Sequence, residues 1–521
     1  MKIRYKKLAS LMGLNGVNAI LGIFYSYIMM HHYGTSNIAK IFFAASLINQ
    51  SIVKLSQAGN LLEFIVPIYF REKNLRGEKA ADNIFAIVIN NMLLITLVIL
   101  LIISFSIHII TEIYFPGFLT SDQEMIRHTF IIISGLTIFQ VVNGMFQGLL
   151  IAKKYFGRAE FTNSVSLVFS SLVLFLLGDA NSIYPLITAM FISTGIQSLS
   201  ISIALFATKY KHKWALKSTH FTTKQLFKSL STTSVYVFST QVYSIFFNSA
   251  LSFLPGNIFT IFRYSEMIWT RVSSLILTPF NTIFFSDFSQ LLSESSDTAK
   301  IKNYFLNNLN IVIVLSLFVF LSFYAGSFPM FWLLFKSKNM PFNDVYLLFI
   351  VVIVFIGTML LTSLQSIYRK VVSSAILADK QYLFYAVFHV FSAFISSYLL
   401  KLFYFNGLIV SIIFHSALML FASVLVLVLY KKELFVFVSL NQFIRIVFAN
   451  ILAFLCIYFT KNRIPSIENF PPVHLFFLSF VLCAEYIVLI FVLYRIFGIK
   501  YLDKFFHITF QQLKSRLGII A

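Results

Sequence analysis

Apolar stretches of about 17–25 residues, each closed by a short polar or basic segment, recur from one end of the sequence to the other. That length matches the hydrocarbon layer of a bilayer, so each stretch predicts one membrane-spanning helix. About fourteen are legible, at residues 8–30, 38–70 (long, interrupted at Gly59), 83–108, 128–152, 159–177, 182–208, 229–254, 258–285, 304–335, 345–368, 382–405, 407–430, 444–460 and 474–494. The expected fold is an all-α polytopic membrane protein. Composition agrees, with 59% hydrophobic and 11% charged residues, whereas a soluble domain keeps about a quarter of its residues charged. The 63 Phe residues suit an outer face that meets lipid.

The net charge of +21 could suggest nucleic acid. Its distribution excludes that partner, because the basic residues fall in clusters between apolar runs, where they set membrane topology. With the N-terminus in the cytoplasm, about 30 Lys and Arg fall on the inner side and six on the outer side, namely Arg127, Lys336, Lys338, Lys401, Lys461 and Arg463. Four more lie within spans. An even helix count with both termini cytoplasmic is expected, and Met1–Lys7 reads as the flank of an uncleaved first helix. Cys456 and Cys483 read as ordinary buried thiols.

The chain also repeats itself. Asn37-Ile38-Ala39-Lys40-Ile41-Phe42 matches Asn257-Ile258-Phe259-Thr260-Ile261-Phe262, with Ile48 and Ile268 in register. Ile151-Ala152-Lys153-Lys154-Tyr155-Phe156 resembles Leu377-Ala378-Asp379-Lys380-Gln381-Tyr382. Each pair joins span n to span n + 6, a parallel repeat of the transporter type. The expected organisation is an N-lobe (1–208), a basic cytoplasmic linker (209–228), a C-lobe (229–430) and an accessory region of two helices with a basic tail (431–521).

Leu21-Gly22, Tyr33-Gly34-Thr35-Ser36, Phe42-Phe43-Ala44-Ala45, Gly59 and Phe64-Ile65-Val66-Pro67-Ile68-Tyr69 together resemble the start of the MurJ/MviN family. Pro116-Gly117-Phe118 and Tyr264-Ser265-Glu266, with Pro279 beyond, continue the likeness. These are lipid-linked murein precursor flippases of the MOP (multidrug/oligosaccharidyl-lipid/polysaccharide) exporter superfamily. The resemblance implies two lobes around a V-shaped cavity that opens alternately to each membrane face. Several family positions differ. The first-helix arginines fall at Ala19 and Tyr25, the acidic residue before the Phe pair is Lys40, the paired arginines read Val53-Lys54, and the eighth-helix arginine falls at Met267. A pyrophosphate would therefore need other side chains.

Candidates exist within the spans, where an ionised group costs about 2.5–3.5 kcal/mol. Lys40 and Lys54 are two heptads apart, and Arg263 and Arg271 are eight residues apart, so each pair shares nearly one helix face. Two such stripes on repeat-related helices suit a diphosphate headgroup. Against that, Arg263 could be neutralised by Glu266, and the lysines could snorkel. Glu63, four residues before Pro67, reads either as a partner for Lys54 or as a residue approaching the inner interface. Glu485 reads either as a site for a coupling ion (Na+ or H+) or as a hydrogen-bonded neutral carboxyl, and His389 and His415 read as packing residues. Asn15, Asn18, Gln50, Asn143, Gln147, Gln241 and Asn248 either line a cavity or join helices.

Neither a nucleotide-binding glycine motif nor a metal-spaced Cys/His cluster is present, so no enzyme, cofactor or metal site is expected. Asp122-Gln123-Glu124 is a weak echo of a membrane glycosyltransferase's acidic pair. The reading is a flippase of the bacterial inner membrane that moves an undecaprenyl-pyrophosphate-linked precursor outward. An ion-coupled multidrug exporter and a glycosyltransferase or polysaccharide polymerase are the alternatives.

Overall fold

The structure, a computed structural model, describes residues 2–56, 69, 72–73, 75–153, 155–208, 210–216, 223–294, 297–375, 378–436, 440–462 and 471–499. Glu63 and Gly59 lie outside the described residues. Sixteen α-helices, and no β-strand, are found among those described. In chain order they are α1 (Lys2–Tyr33), α2 (Asn37–Leu55), α3 (Glu78–Phe105), α4 (Ile107–Tyr114), α5 (Thr120–Ser134), α6 (Leu136–Ala152), α7 (Phe156–Leu177) and α8 (Tyr184–Phe206). Then follow α9 (Thr223–Ser252), α10 (Ile258–Glu294), α11 (Thr298–Phe335), α12 (Phe342–Gly357), α13 (Met359–Ala375), α14 (Ala378–Lys431), α15 (Leu440–Asn462) and α16 (Pro472–Ile496).

Among the described residues, nine helical stretches are long and apolar enough to cross a membrane, or ten if the bent pair α5 and α6 forms one span. The 54-residue α14 holds two spans, because Tyr404 sits at φ 49° and breaks the helix where the sequence separates residues 382–405 from 407–430. The remaining expected spans are α1, α9 and α10. Of these, α9 and α10 fall short of the apolar threshold through their polar and charged content, a run of Ser and Thr on α9 and Arg263, Glu266 and Arg271 on α10, while α1 carries Asn15 and Asn18. Elsewhere large apolar side chains project outward, Phe206 being 87% exposed, as a lipid-facing surface requires.

Local chemistry sets the boundaries. Gly34, at φ 47°, takes the left-handed position that ends α1, and its N–H reaches Met30 O at 2.8 Å. Ser36 then caps α2, its hydroxyl accepting from Ala39 N at 3.3 Å. Thus the Tyr-Gly-Thr-Ser motif is a stop and a start placed side by side.

The helices fall into two compact units. One comprises Val17–Arg263 and Tyr382–Ser411. Within it α2 packs against α3, α5, α6 and α9, and α8 packs against α6 and α7. The core includes Phe85, Val141, Met145, Leu149 and Ile201. Asn49 fastens α2 to α6, donating to Gln140 Oε1 at 3.0 Å and accepting from Thr137. Polar groups that lipid cannot solvate are here joined to one another. The start of the basic linker is strapped to α3: Asn90 Nδ2 donates to Lys213 O and Ala215 O, both at 3.0 Å. At the end of α6, Lys153 Nζ bridges Glu78 Oε1 (2.8 Å) and Asp82 Oδ1 (2.9 Å) of α3.

The other unit comprises Met1–Gly16, Tyr264–Gln381 and Ile412–Ala521. Its long α11 packs against α12, α13, α15 and α16. Gly326 lets α11 approach α16 closely, and a Cβ there would lie 2.6 Å from Ser479 O. Close backbone approach through small residues is a main source of helix association in lipid. Gly326→Val should therefore destabilise the purified chain by about 1–3 kcal/mol, read as a lower melting temperature in detergent. An unchanged melting temperature would contradict this packing.

Candidate functional site

Charged and aromatic side chains converge at one end of the first unit, where α1 passes into α2, α4 into α5, and α9 into α10. Lys40, one turn into α2, ion-pairs with Asp122 Oδ2 of α5 at 2.7 Å. Asn37 Nδ2 donates to the other carboxylate oxygen, also at 2.7 Å. Asp122 is almost fully buried, so both its oxygens need these partners. The Lys40 ammonium also lies 4.9 Å from the centre of the Phe118 ring. Gln123 Nε2 donates to Phe115 O at 2.9 Å and shapes the same loop. The acidic Asp122-Gln123-Glu124 segment is thus a structural clamp, with only Glu124 exposed.

That clamp presents the Pro-Gly-Phe loop to the α9–α10 turn. Gly117 N donates to Ser252 Oγ at 3.0 Å, and Asn257 Nδ2 donates to Thr35 Oγ1 at 3.0 Å. Gly117 allows this approach because a Cβ there would lie 2.6 Å from Ser252 C and 2.8 Å from Phe253 N. Phe259, one residue into α10, meets Phe115 and Phe118 edge-on, with centroids 5.7 and 5.2 Å away. The result is a hydrogen-bonded, aromatic junction that ties the expected N-lobe to the first two helices of the expected C-lobe.

Arg263 lies one turn further along α10 and is 8% exposed. Its Nη2 donates to Asn248 Oδ1 of α9, and its guanidinium rests 5.2 Å from the ring centres of both Phe259 and Phe262. Asn248 is held in the accepting orientation because its own amide donates to Ser244 O at 2.6 Å. A guanidinium has five donors in a planar fork, so this arrangement keeps a strong anion-recognition group buried among aromatic side chains between α9 and α10.

The other candidates are dispersed. Arg271 and Glu266 are half-buried further along α10, and Lys54 is exposed in the last turn of α2, where a cation favours the helix C-terminus. Along α2 the rise separates Lys40 from Lys54 by about 21 Å, so the two lysines do not form one site. Glu485 on α16 accepts from Thr460 Oγ1 of α15 at 3.0 Å. His389 meets the Tyr236 ring edge-on, with centroids 5.4 Å apart. Sequence reasoning picked out Asn248 as an intramembrane amide and Asp122 beside Pro-Gly-Phe, but it did not pair them with Arg263 and Lys40, and it gave Asn257 no role beyond the repeat.

No protein-family model matches the chain, and no curated protein sequence does. Solved structures do. The lipid II flippase MurJ in an inward closed conformation superposes with a TM-score of 0.71 at 15% identity, over 93% of this chain and 99% of that one. An inward-facing multidrug resistance MATE family transporter of the MOP superfamily gives 0.53 at 13% identity, over 83% and 94%. A MOP superfamily transporter from Pyrococcus furiosus, described as having a binding pocket of reverse polarity, gives 0.59 at 13%, over 83% and 96%. The fold is therefore MurJ-like and shared with the MOP transporters, as the sequence motifs anticipate.

Two substitutions probe the junction. Gly117→Val should force the loop from the α9–α10 turn and accelerate amide hydrogen exchange at residues 114–122 and 250–259. Asp122→Asn, which strands the Lys40 ammonium, should destabilise the chain by about 2–3 kcal/mol. Unaltered exchange in the first variant would mean that the junction does not depend on this contact.

Proposed function

We propose that this chain is a transporter of the bacterial inner membrane that moves an anionic, lipid-linked saccharide precursor outward by alternating access. The observation that carries the reading is Arg263, a buried guanidinium on α10, a long helix that also carries Glu266 and Arg271. A membrane protein retains such a group at a cost of kilocalories only where it does work, and its fork geometry matches a phosphate. In this reading the polar helices α1, α9 and α10 line the substrate's path. Arg263 and Arg271 hold the pyrophosphate, and hydroxyl and amide side chains of those helices meet the sugar.

The junction beside Arg263 is then the seal on the outer membrane face. Its hydrogen bonds from Gly117 to Ser252 and from Asn257 to Thr35 are neutral, which suits a contact that must open in each cycle. Lys40 acts indirectly: by clamping Asp122 it positions the Pro-Gly-Phe loop. Lys54, and Glu63 with it, serve the inner rim, where the basic loops put the cytoplasm.

The MurJ structure covers 93% of the chain against 83% for the MATE structures, which supports a flippase over a drug exporter. Charge supports it too, since a pocket for cationic drugs calls for unpaired carboxylates, whereas the charged side chains on α10 near Arg263 are Arg271 and a single Glu266.

Depleting the protein should cause one class of undecaprenyl-linked saccharide to accumulate, seen by lipid mass spectrometry. In purified protein, Arg263→Ala combined with Arg271→Ala should weaken undecaprenyl-pyrophosphate binding at least about tenfold. Binding unchanged by the double substitution would remove both arginines from the site. Saturable binding of a cationic drug in place of the lipid would favour the exporter.

A further inference from the structure

Glu160 stands apart from the junction and from the proposed phosphate site. It lies one turn into α7, half-buried, within a stretch apolar enough to span the membrane. It is the one acidic residue on α1, α6, α7 and α8. Its surroundings are amides, and they all point the same way. Gln147 Nε2 of α6 and Gln197 Nε2 of α8 both donate to Asn163 Oδ1, at 2.7 and 2.8 Å. With its oxygen so occupied, Asn163 turns its amide nitrogen to the Glu160 carboxylate and hydrogen-bonds it. From α1, Asn18 Nδ2 donates to Glu160 Oε2 at 3.1 Å and to its backbone oxygen at 3.2 Å, while Ser164 donates to Asn18 Oδ1. Gln197 is itself fed by Asn143 Nδ2 at 3.5 Å. Donors thus run from three other helices to one carboxylate, and Glu160 is where the chain ends.

Charged neighbours do not explain this arrangement. Neither α6 nor α8 carries a charged side chain, and Tyr184, the one titratable group on α8, sits at the opposite end. On α1 the titratable groups are Lys2–Lys7 at one end and Tyr25–Tyr33 at the other. Arg158, on the same helix as Glu160, is exposed with its guanidinium over the Tyr155 ring. Lys153 is committed to Glu78 and Asp82.

We propose that Glu160 is a proton-binding site whose occupancy reverses the chain of amides joining α6, α7 and α8. The ligand is a proton rather than a bare metal cation because the groups nearest the carboxylate present N–H hydrogens. Sodium needs several oxygens, and these hydrogens would repel it. When a proton from water binds a carboxylate oxygen, the new O–H becomes a donor facing an amide donor. Asn18 is fixed at both ends by Ser164 and the Glu160 backbone, so Asn163 is the group that turns. Its oxygen then accepts from Glu160, and its nitrogen faces Gln147 and Gln197, which must turn in their place. One proton at α7 thereby resets hydrogen bonds on α6 and α8, a bistable element of the kind that couples a local charge to helix movement. Its use in driving transport rests on the reading above, but protonation is measured without any substrate, so the two can fail separately.

The test is infrared difference spectroscopy on the full chain in nanodiscs, acidified from about pH 8 to about pH 5. The wild type should gain the carbonyl stretch of a protonated carboxylic acid, and Glu160→Gln should lose that band. Asn163→Leu, with Glu160 intact, should move its midpoint by about one pH unit or more. This variant also decides the matter if Glu160→Gln does not fold. A band that persists in Glu160→Gln, or a midpoint unmoved in Asn163→Leu, overturns the proposal. So does a midpoint that shifts when sodium replaces choline in wild type but not in Glu160→Asp, because the carboxylate would then be binding sodium.

Discussion

A guanidinium or carboxylate within a hydrocarbon layer must find its partners inside the protein, and that constraint organises this chain. Water is absent to solvate it, so each ionised or amide side chain in a span either joins helices or serves a ligand. Lys40 and Asp122 meet the constraint as an ion pair. Asn49 meets it with Gln140 and Thr137. Glu160 meets it with a train of oriented amides. Arg263 meets it with Asn248 and two aromatic faces.

The consequence for mechanism is a division of labour. Uncharged contacts make the junction, where Gly117 and Ser252 touch through backbone and a single hydroxyl and Phe259 meets Phe118 edge-on. The ion pair lies behind them and fixes the loop, so opening need not break it. The more polar helices, α9 and α10, are the ones the proposed function gives to the transported molecule. The apolar ones, with Phe206 and its like outward, form the wall against the membrane.

Much of the fold is legible in the sequence because a bilayer imposes a length. The break in α14 falls at Tyr404, two residues from the boundary set by the apolar pattern. The Tyr-Gly-Thr-Ser stop and start is local chemistry, readable residue by residue. The site is less legible. Lys40 reads as a free cation because its partner lies 82 positions away, and chain separation hides ion pairs. Glu160 draws no notice in the sequence because the amides that converge on it come from three other helices. Charge in a single sequence marks where something must be satisfied. It does not say by what.

The central claim is that position 263 meets an anionic headgroup from water and not the acyl chains. It is tested most directly with Cys456 and Cys483 replaced and a single cysteine placed at 263. A small water-soluble thiol reagent should label that cysteine, and undecaprenyl pyrophosphate should slow the labelling. A thiol that stays inert to the aqueous reagent from both membrane faces, yet reacts with one dissolved in the lipid, would contradict the account.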